Sequence, residues 1–536
     1  MKWSASLAIT LAALRQASAT NSTSCTPRLM SYWINANASI AIVEPVDEGG
    51  SFREEGNIAF PQNVTNLPSL CAVTFNARTS DGRQYKFGLF LPDEWNSDIL
   101  TVGNDGFSGG INWPAVAAGS RYGFATIATD AGHNSTATNL TWALGDAGKQ
   151  TLFGHQALHG SLLLAQRVIE RYYGLPPEVS YFSGTSDGGR QGLKAVELYP
   201  RDYSALLIGA PAWWQSHLQS WRVSRGASNL PAADAKHISA ANFTLIGDNV
   251  RKQCDATDGL ADGILSNPAN CTVDFALFTC GQADVDAQAC LTAEQATVAQ
   301  DLYAYYNVSD ELIFPGVYPG SESEWGALLG GDEEPNEVAV GYMRNFVFND
   351  TEWEWSSYND TIPGYASAAN PGGLDVQGFD LTGFAAAGGK IVMYHGLADA
   401  HVPATASRIF FDKVVAASGG DIEAVRGWFR LFFLPGVGHT NTTVDAPWYI
   451  GGPGQAEQLF VGNGTAPPSN ATYDALRALQ LWHAAGTAPE SIIASTWANS
   501  TDPSTEVLRQ RPICPYPATQ TYLGQGDQSK PESFVC

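Results

Sequence analysis

The stretch Val179-Ser180-Tyr181-Phe182-Ser183-Gly184-Thr185-Ser186-Asp187-Gly188-Gly189-Arg190-Gln191-Gly192 decides how the chain is read. Val179 to Ser183 has the apolar character of a strand, and Gln191 to Tyr199 continues as a helical pattern that stops before Pro200. Between them, Gly184-Thr185-Ser186-Asp187-Gly188 has the Gly-X-Ser-X-Gly form. Small flanking residues there let the backbone turn sharply from strand to helix and push a serine hydroxyl clear of the surface. The pattern alone is weak, since roughly half a match is expected by chance in a chain this long. A second match does occur, at Gly106-Phe107-Ser108-Gly109-Gly110. Context separates the two: Ser186 lies between a strand and a helix, whereas Ser108 runs into Asn112-Trp113-Pro114.

A serine hydroxyl is a poor nucleophile near neutral pH and needs a histidine base, itself oriented by a carboxylate. His439 sits in the tight loop Leu434-Pro435-Gly436-Val437-Gly438-His439, directly after the apolar run Trp428 to Leu434. Asp399 holds an equivalent place in His395-Gly396-Leu397-Ala398-Asp399, after Ile391 to Tyr394. The order Ser, Asp, His, each in a loop that follows a strand, is the order found in α/β-hydrolases. In that fold one oxyanion donor is the N–H of the residue after the nucleophile, here Asp187. The other comes from a loop after an early strand. Gly103-Asn104-Asp105-Gly106-Phe107 follows Ile99 to Val102 and suits that role; whether Asp105 or Gly106 supplies the amide stays open.

Outward from these loops, strand-like and helical stretches alternate from Cys71 to Ile208 and again from Ile391 to Ala484, which predicts a mostly parallel sheet with helices on both faces. From about Trp213 to Phe379 the rhythm breaks, so one α/β domain over 20–212 and 381–536 is interrupted by an insertion over 213–380. With 53 acidic and 29 basic residues among 536, a net charge of −24 excludes a basic nucleic-acid footprint and an electrostatic hold on anionic membrane. Only 15% of residues are charged while 11% are aromatic, a balance that supports a large core and not a disordered chain.

Residues 1–19 read as a signal peptide, with Lys2, an apolar stretch from Leu7 to Leu14 and a small-residue cleavage site at Ala17-Ser18-Ala19. Asn-X-Ser/Thr sequons recur from Asn21 and Asn37 to Asn470 and Asn499, as expected of a secreted glycoprotein. The eight cysteines, Cys25, Cys71, Cys254, Cys271, Cys280, Cys290, Cys514 and Cys536, form an even set without a Cys-X-X-Cys pair, which favours disulfides over zinc.

Taken together, Gly103 to Ile111, Phe153-Gly154-His155-Gln156-Ala157-Leu158-His159, Tyr181 to Gly192, Gly209-Ala210-Pro211-Ala212, His395 to Pro403, Phe429 to His439 and Arg511-Pro512-Ile513-Cys514-Pro515-Tyr516-Pro517 resemble the fungal tannase and feruloyl esterase family. The resemblance implies an α/β-hydrolase fold with a large inserted lid domain at 213–380 and a triad of Ser186, Asp399 and His439. It implies a secreted serine esterase acting on small esters of phenolic or aromatic acids, in either monomeric or dimeric form. It also implies the pairs Cys25–Cys71, Cys254–Cys271, Cys280–Cys290 and Cys514–Cys536, and a structural Ca²⁺ held in Cys254 to Ile264. The ligands there would be the side chains of Asp255, Asp258 and Asp262 and the carbonyls of Leu260 and Ile264; hard oxygen donors with glycines to bend the chain suit that ion.

One feature departs from the family pattern. Members typically carry a cysteine just before the nucleophile and another just after the histidine, joined as a disulfide; here Thr185 and Thr440 stand in those places. A crosslink of this kind contributes about 2–4 kcal/mol, so its loss predicts a less rigid site, with a Thr185 to Thr440 hydroxyl contact replacing only part of it. Two other readings of the same chain are an acyltransferase or lactone-forming enzyme on the same triad, and a secreted glycoprotein without activity. Trp213, Trp214, Trp221, Trp353 and Trp355 are candidates to stack on an aromatic substrate, though core packing is the commoner use of such residues. His159 and His395 read as structural.

Overall fold

The computed structural model describes residues 17–18, 25–34, 37–439, 448–459 and 470–536. The signal peptide lies outside the described residues except for Ala17–Ser18, which pair with Glu94–Trp95. Thr440, and with it the hydroxyl contact to Thr185, also lies outside them.

Nine strands form one sheet: β1 (Ala38–Val46), β2 (Leu70–Arg78), β3 (Gln84–Pro92), β4 (Ile99–Val102), β5 (Ala125–Thr129), β6 (Ser180–Thr185), β7 (Ala205–Gly209), β8 (Lys390–Gly396) and β9 (Phe429–Leu434). Their spatial order is β9-β8-β7-β6-β4-β5-β3-β2-β1. Neighbours from β9 to β5 are parallel. The β5–β3, β3–β2 and β2–β1 pairs are antiparallel. The sheet is mostly parallel, as the alternation predicted, with five parallel and three antiparallel neighbour pairs, and the reversal between β2 and β3 has a local reason. The link from β2 to β3 is the tight turn Thr79–Arg83, closed by Thr79 N–H to Arg83 O at 2.9 Å. A turn of that length can return the chain only antiparallel. Edge strand β1 precedes the first strand expected from sequence; only its last residue, Val46, is buried, and its irregular alternation of exposed and half-buried positions gives no periodic signal.

Helices cover both faces, and strand side chains alternate between them. Ile391 and Met393 of β8 point to the core built with α2 (Ala157–Tyr173), α3 (Asp187–Leu198) and α6 (Ala404–Ala417). Val392 and Tyr394 point to the core built with α1 (Trp113–Arg121) and α7 (Ala475–Ala485). A strand buried on both faces reads as a continuous apolar run, which is why the parallel strands were visible in sequence.

Residues 210–389, between β7 and β8, add no strand to this sheet. They contain the helices Gln215–Ser228, α4 (Ala240–Cys254), Ala293–Tyr303, α5 (Trp325–Leu329) and Ile362–Ala369, further short helical turns and a small two-stranded ribbon. Their own core gathers Trp221, Phe275, Phe314 and Trp325, and it also takes in Ala400, Val402 and Ala406 from the segment after β8. Insertion and sheet domain therefore share a core next to Asp399.

All eight cysteines are paired, Cys25–Cys71, Cys254–Cys271, Cys280–Cys290 and Cys514–Cys536, matching the four expected pairs. The loops they close differ in length, 46 residues for the first and 10 for the third. Loop-closure entropy predicts a cost of about 4 kcal/mol for replacing Cys25 and Cys71 by Ser, and about 3 kcal/mol for the same change at Cys280 and Cys290. Thermal unfolding of the two double variants should rank them in that order; a larger loss from the short loop would show that native packing, not chain entropy, sets the effect.

Candidate functional site

Ser186 has φ 56° and ψ −120°, a conformation that L residues rarely adopt and that typically costs about 1–3 kcal/mol. Its position between β6 and α3 is held at both ends, by Ser186 N–H to Gly209 O at 2.9 Å and Ala212 N–H to Ser186 O at 3.0 Å. Glycine makes the turn possible. A Cβ on Gly184 would lie 2.6 Å from the main chain of Gly188, and a Cβ on Gly188 would lie 2.6 Å from Asn104 O. The turn after β4 is thereby pressed against the first turn of α3. Asn104 and Gln191 lock it there through Asn104 N–H to Gln191 Oε1 at 3.0 Å and Gln191 Nε2 to Asn104 Oδ1 at 3.1 Å.

Asp399 and His439 meet directly, His439 Nδ1 lying 2.7 Å from Asp399 Oδ2. They follow β8 and β9, adjacent parallel strands whose ends are further tied by Leu397 N–H to Leu434 O at 2.9 Å and Ala398 N–H to Val437 O at 2.8 Å. Asp399 is fully buried, yet well supplied with donors. The N–H groups of His401 and Val402 each reach Oδ1 at 2.8 Å, and His395 Nε2 lies 3.0 Å from Oδ2. Burial alone would raise its pKa, but the charges and hydrogen bonds of His439 and His395 prevail and hold it well below the usual carboxylate range. His395, read as structural, is thus part of the carboxylate's hydrogen-bond shell, with its Nδ1 fixed 2.7 Å from Ser407 Oγ.

Burial disfavours a charged His439, yet Asp399, aided by Glu324 and Asp105, moves its pKa above the ordinary value. The His401 ring lies nearly parallel to that of His439, centroids 4.9 Å apart. Burial and the neighbouring charges of His439 and Arg222 lower His401 to about 3. The charges of His439 and of Asp187, the residue after Ser186, both act on the Asp105 carboxyl, which places the turn after β4 near both. Among the described residues no hydrogen bond joins the Ser186 hydroxyl to the His439 ring; such bonds often tighten only around substrate.

Asp187 opens α3, so its N–H is one of the helix-start donors that no helical carbonyl takes. Its carboxylate points elsewhere, into a buried clasp with Arg190, whose Nη2 lies 2.9 Å from Oδ2. Gly106 carries φ 49° in the turn that holds Asp105. Crowding by surrounding protein raises the Asp105 carboxyl, with His439 opposing and Asp187 adding to the effect, although water still reaches its side chain.

Three contributors had no sequence signal. Glu324, in the insertion, accepts the N–H of His439 at 2.8 Å and that of Ala400 at 3.0 Å. Arg222 Nη2 holds His401 O at 2.6 Å, and His401 stacks on the base. Each acts across a long sequence separation, beyond the reach of local patterns.

The acidic loop follows α4. Asp255 Oδ1 accepts the N–H of Gly263 at 2.9 Å, Asp258 Oδ1 that of Leu260 at 3.0 Å, and Asp262 Oδ1 that of Ile264 at 3.1 Å. Asp262 also pairs with the buried Arg511. Burial raises Asp255, and the charges of Asp262 and Asp258 add to the rise, so the carboxylates repel one another. No group of three His, Cys, Asp or Glu side chains is already gathered around a common point among the described residues.

Trp213 and Trp221 are buried in the core. Trp214 stacks between Trp213 and His217, and Trp353 and Trp355 pack on a cluster around Tyr342. His159 is held 2.7 Å from Asp202 and stacks on Tyr199. A cavity of about 710 Å³ lies between the insertion and the C-terminal segment, lined by Tyr305, Tyr318, Arg408 and Tyr516; Leu397 and Pro435 reach it, but none of the three candidate residues does.

A twisted α/β sheet whose elbow presents a strained serine, with a His–Asp pair on neighbouring strand ends, defines the α/β-hydrolase class. A sequence model of the family described as tannase and feruloyl esterase matches residues 71–536. A probable feruloyl esterase B-2 of Aspergillus terreus is 29% identical over 470 residues, spanning 87% of this chain and 86% of that protein. An uncharacterized esterase of Xanthomonas campestris is 31% identical over 504 residues, spanning 88% of this chain and 84% of its own. The crystal structure of an esterase from Aspergillus oryzae aligns with TM-score 0.87 at 26% identity over 95% of this chain and 98% of that one. The chain belongs to the tannase and feruloyl esterase family and is a carboxylic ester hydrolase.

The electrostatics give an ordering of histidines. His439 should titrate above the ordinary imidazole value of about 6.5, and His401 near 3. Asp399→Asn removes the anion, burial then dominates, and His439 should fall below that ordinary value. Histidine ring ¹⁵N shifts followed against pH check all three; an unchanged His439 in Asp399→Asn would break the assigned pairing.

Proposed function

We propose that the protein is a secreted serine carboxylesterase cleaving esters of phenolic or aromatic acids, with Ser186 as nucleophile, His439 as base and Asp399 as its orienting carboxylate. The observation that carries the reading is the 2.7 Å His439–Asp399 bond set on the strand ends beside the strained Ser186 elbow. His439 Nε2 takes the Ser186 proton as Oγ attacks the ester carbonyl. The carbonyl oxygen becomes an oxyanion, accepted by the Asp187 N–H and one from the Asp105-Gly106 turn. Collapse breaks the ester C–O bond and His439 protonates the departing alcohol. Water, deprotonated by His439, then attacks the acyl-enzyme and releases the acid and Ser186.

Family membership supports the aromatic acid, because the family is that of tannase and feruloyl esterase and the Aspergillus terreus relative is a probable feruloyl esterase. Four disulfides and the recurring sequons support secretion as a glycoprotein. No helix among the described residues is long and apolar enough to cross a membrane. We read 213–380 as the lid domain over the site, a reading supported by the reach of Glu324 into both catalytic loops.

A serine-directed fluorophosphonate should label wild type and leave Ser186→Ala unlabelled. Turnover on methyl ferulate, methyl gallate, methyl salicylate and a terephthalate monoester should show at least one good substrate, with Ser186→Ala lowering its rate by about 10³-fold or more. Equal labelling of the two proteins would sink the nucleophile assignment. Products formed with a competing alcohol distinguish hydrolysis from acyl transfer.

We further infer a structural Ca²⁺ in the acidic loop, with Asp255, Asp258, Asp262 and the carbonyls of Leu260 and Ile264 as ligands. The donor set is all oxygen, as Ca²⁺ requires, and the mutual repulsion of the carboxylates favours a cation; Asp262 would share its charge between the ion and Arg511. The ion would supply charge neutralisation and loop order, and no catalytic step. Ca²⁺ should raise the melting temperature relative to chelator, and a triple Asn variant at Asp255, Asp258 and Asp262 should lose that difference. A variant as stable as wild type in both conditions would remove the site.

A further inference from the structure

Glu324 ends a helical turn, Glu322–Glu324, that is rigidly seated in the insertion. Glu322 is buried, accepting Tyr303 Oη–H at 2.6 Å and Gly320 N–H at 2.8 Å. The next residue, Trp325, is fully buried and donates Nε1–H to Ser321 Oγ at 3.1 Å. From this platform Glu324 reaches out of its own segment. Its two oxygens are divided between two loops: Oε1 takes the His439 N–H at 2.8 Å, and Oε2 takes the Ala400 N–H at 3.0 Å. One carboxylate therefore bridges the residue that bears the base and the residue that follows its carboxylate partner.

We propose that Glu324 is a positioning residue, a clamp through which the insertion fixes the Asp399 and His439 loops relative to each other. The inference rests on the triad reading above. A carboxylate satisfies two converging N–H donors, one per oxygen, with no donor of its own to misplace; burial and the Asp399 charge raise the Glu324 pKa, while the two N–H groups and the His439 charge oppose the rise. A glutamine amide offers one acceptor and turns two donors toward the other N–H. Charge-assisted bonds of this type are about twice as strong as neutral ones. The main chain supplies two further ties between the loops, at Leu397–Leu434 and Ala398–Val437, but both lie before the functional residues. The Glu324 bridge acts at them. It also makes the register of the base depend on the seating of the insertion, because nothing in the sheet itself presents this carboxylate.

The clamp leaves a signature that simple loss of fold does not. The charges facing His439 are Asp399, Glu324 and Asp105, with His401 stacked on it. Removing Glu324 leaves a base that is misplaced and less easily protonated. With sites counted by fluorophosphonate titration, Glu324→Gln and Glu324→Ala should lose about 10- to 100-fold in kcat, with KM within about threefold of wild type, and the acid limb of the kcat/KM profile should move to lower pH. Glu324→Asp keeps the charge and shortens the reach, so kcat should fall while the limb stays near wild type. Values of kcat within twofold of wild type in Gln and Ala, with an unmoved limb, overturn the clamp, as does a loss confined to KM. Should neither of those two variants fold, amide exchange in wild type decides: protected His439 and Ala400 amides support the bridge, and exchange as fast as in exposed loops overturns it. The two readings fail separately, since an active Ser186→Ala removes the triad, whereas an inert Ser186→Ala with fully active Glu324 variants removes only the clamp.

Discussion

An ionised carboxylate with no exposed surface, Asp399, is the constraint around which the functional end of the molecule is built. A buried charge is tolerable only when its lone pairs are filled, and four donors fill these: two ring nitrogens and two main-chain amides. Each donor fixes a segment. The amides of His401 and Val402 force the chain to wrap back around the carboxylate before α6 begins. His395 ties the end of β8 to Ser407 in α6, and His439 binds the loop after β9. Adjacent parallel strands are needed to bring the loops within reach, so the topology and the buried charge specify each other.

The elbow makes the same argument in steric terms. Ser186 persists at positive φ because Gly103, Gly184 and Gly188 let the β4 turn, the strand end and the helix start approach within distances that a side chain would prohibit. These glycines were legible because the requirement is local and appears as spacing. Asp399 and His439 were legible for a related reason, since each follows an apolar run that only a buried strand produces. Strand β1 was not, because an edge strand with a single buried residue has no continuous apolar pattern. Nor was the reversal from β2 to β3, which is set by the Thr79–Arg83 turn and not by the apolar character of the strands.

Glu324 shows where sequence reading ends. Ser-Glu-Ser-Glu-Trp at 321–325 looks like an ordinary acidic turn, and its partners lie 76 and 115 residues away. Periodicity reports which face of an element is buried, not which distant amide lacks an acceptor. The insertion gave few elements to local patterns for the same reason. Its single turns are held by side-chain bonds, such as Glu322 to Tyr303, and by a core shared with Ala400 and Val402.

Asp105 sharpens the electrostatics of the proposed reaction. As Ser186 attacks, negative charge grows on the substrate oxygen and positive charge grows on His439. A carboxylate near both stabilises the imidazolium and opposes the oxyanion. The opposing term is blunted because water reaches the Asp105 side chain and screens its charge. Asp399, buried and strongly hydrogen-bonded, holds the imidazolium through a direct bond, and the Asp105 carboxylate adds to that field.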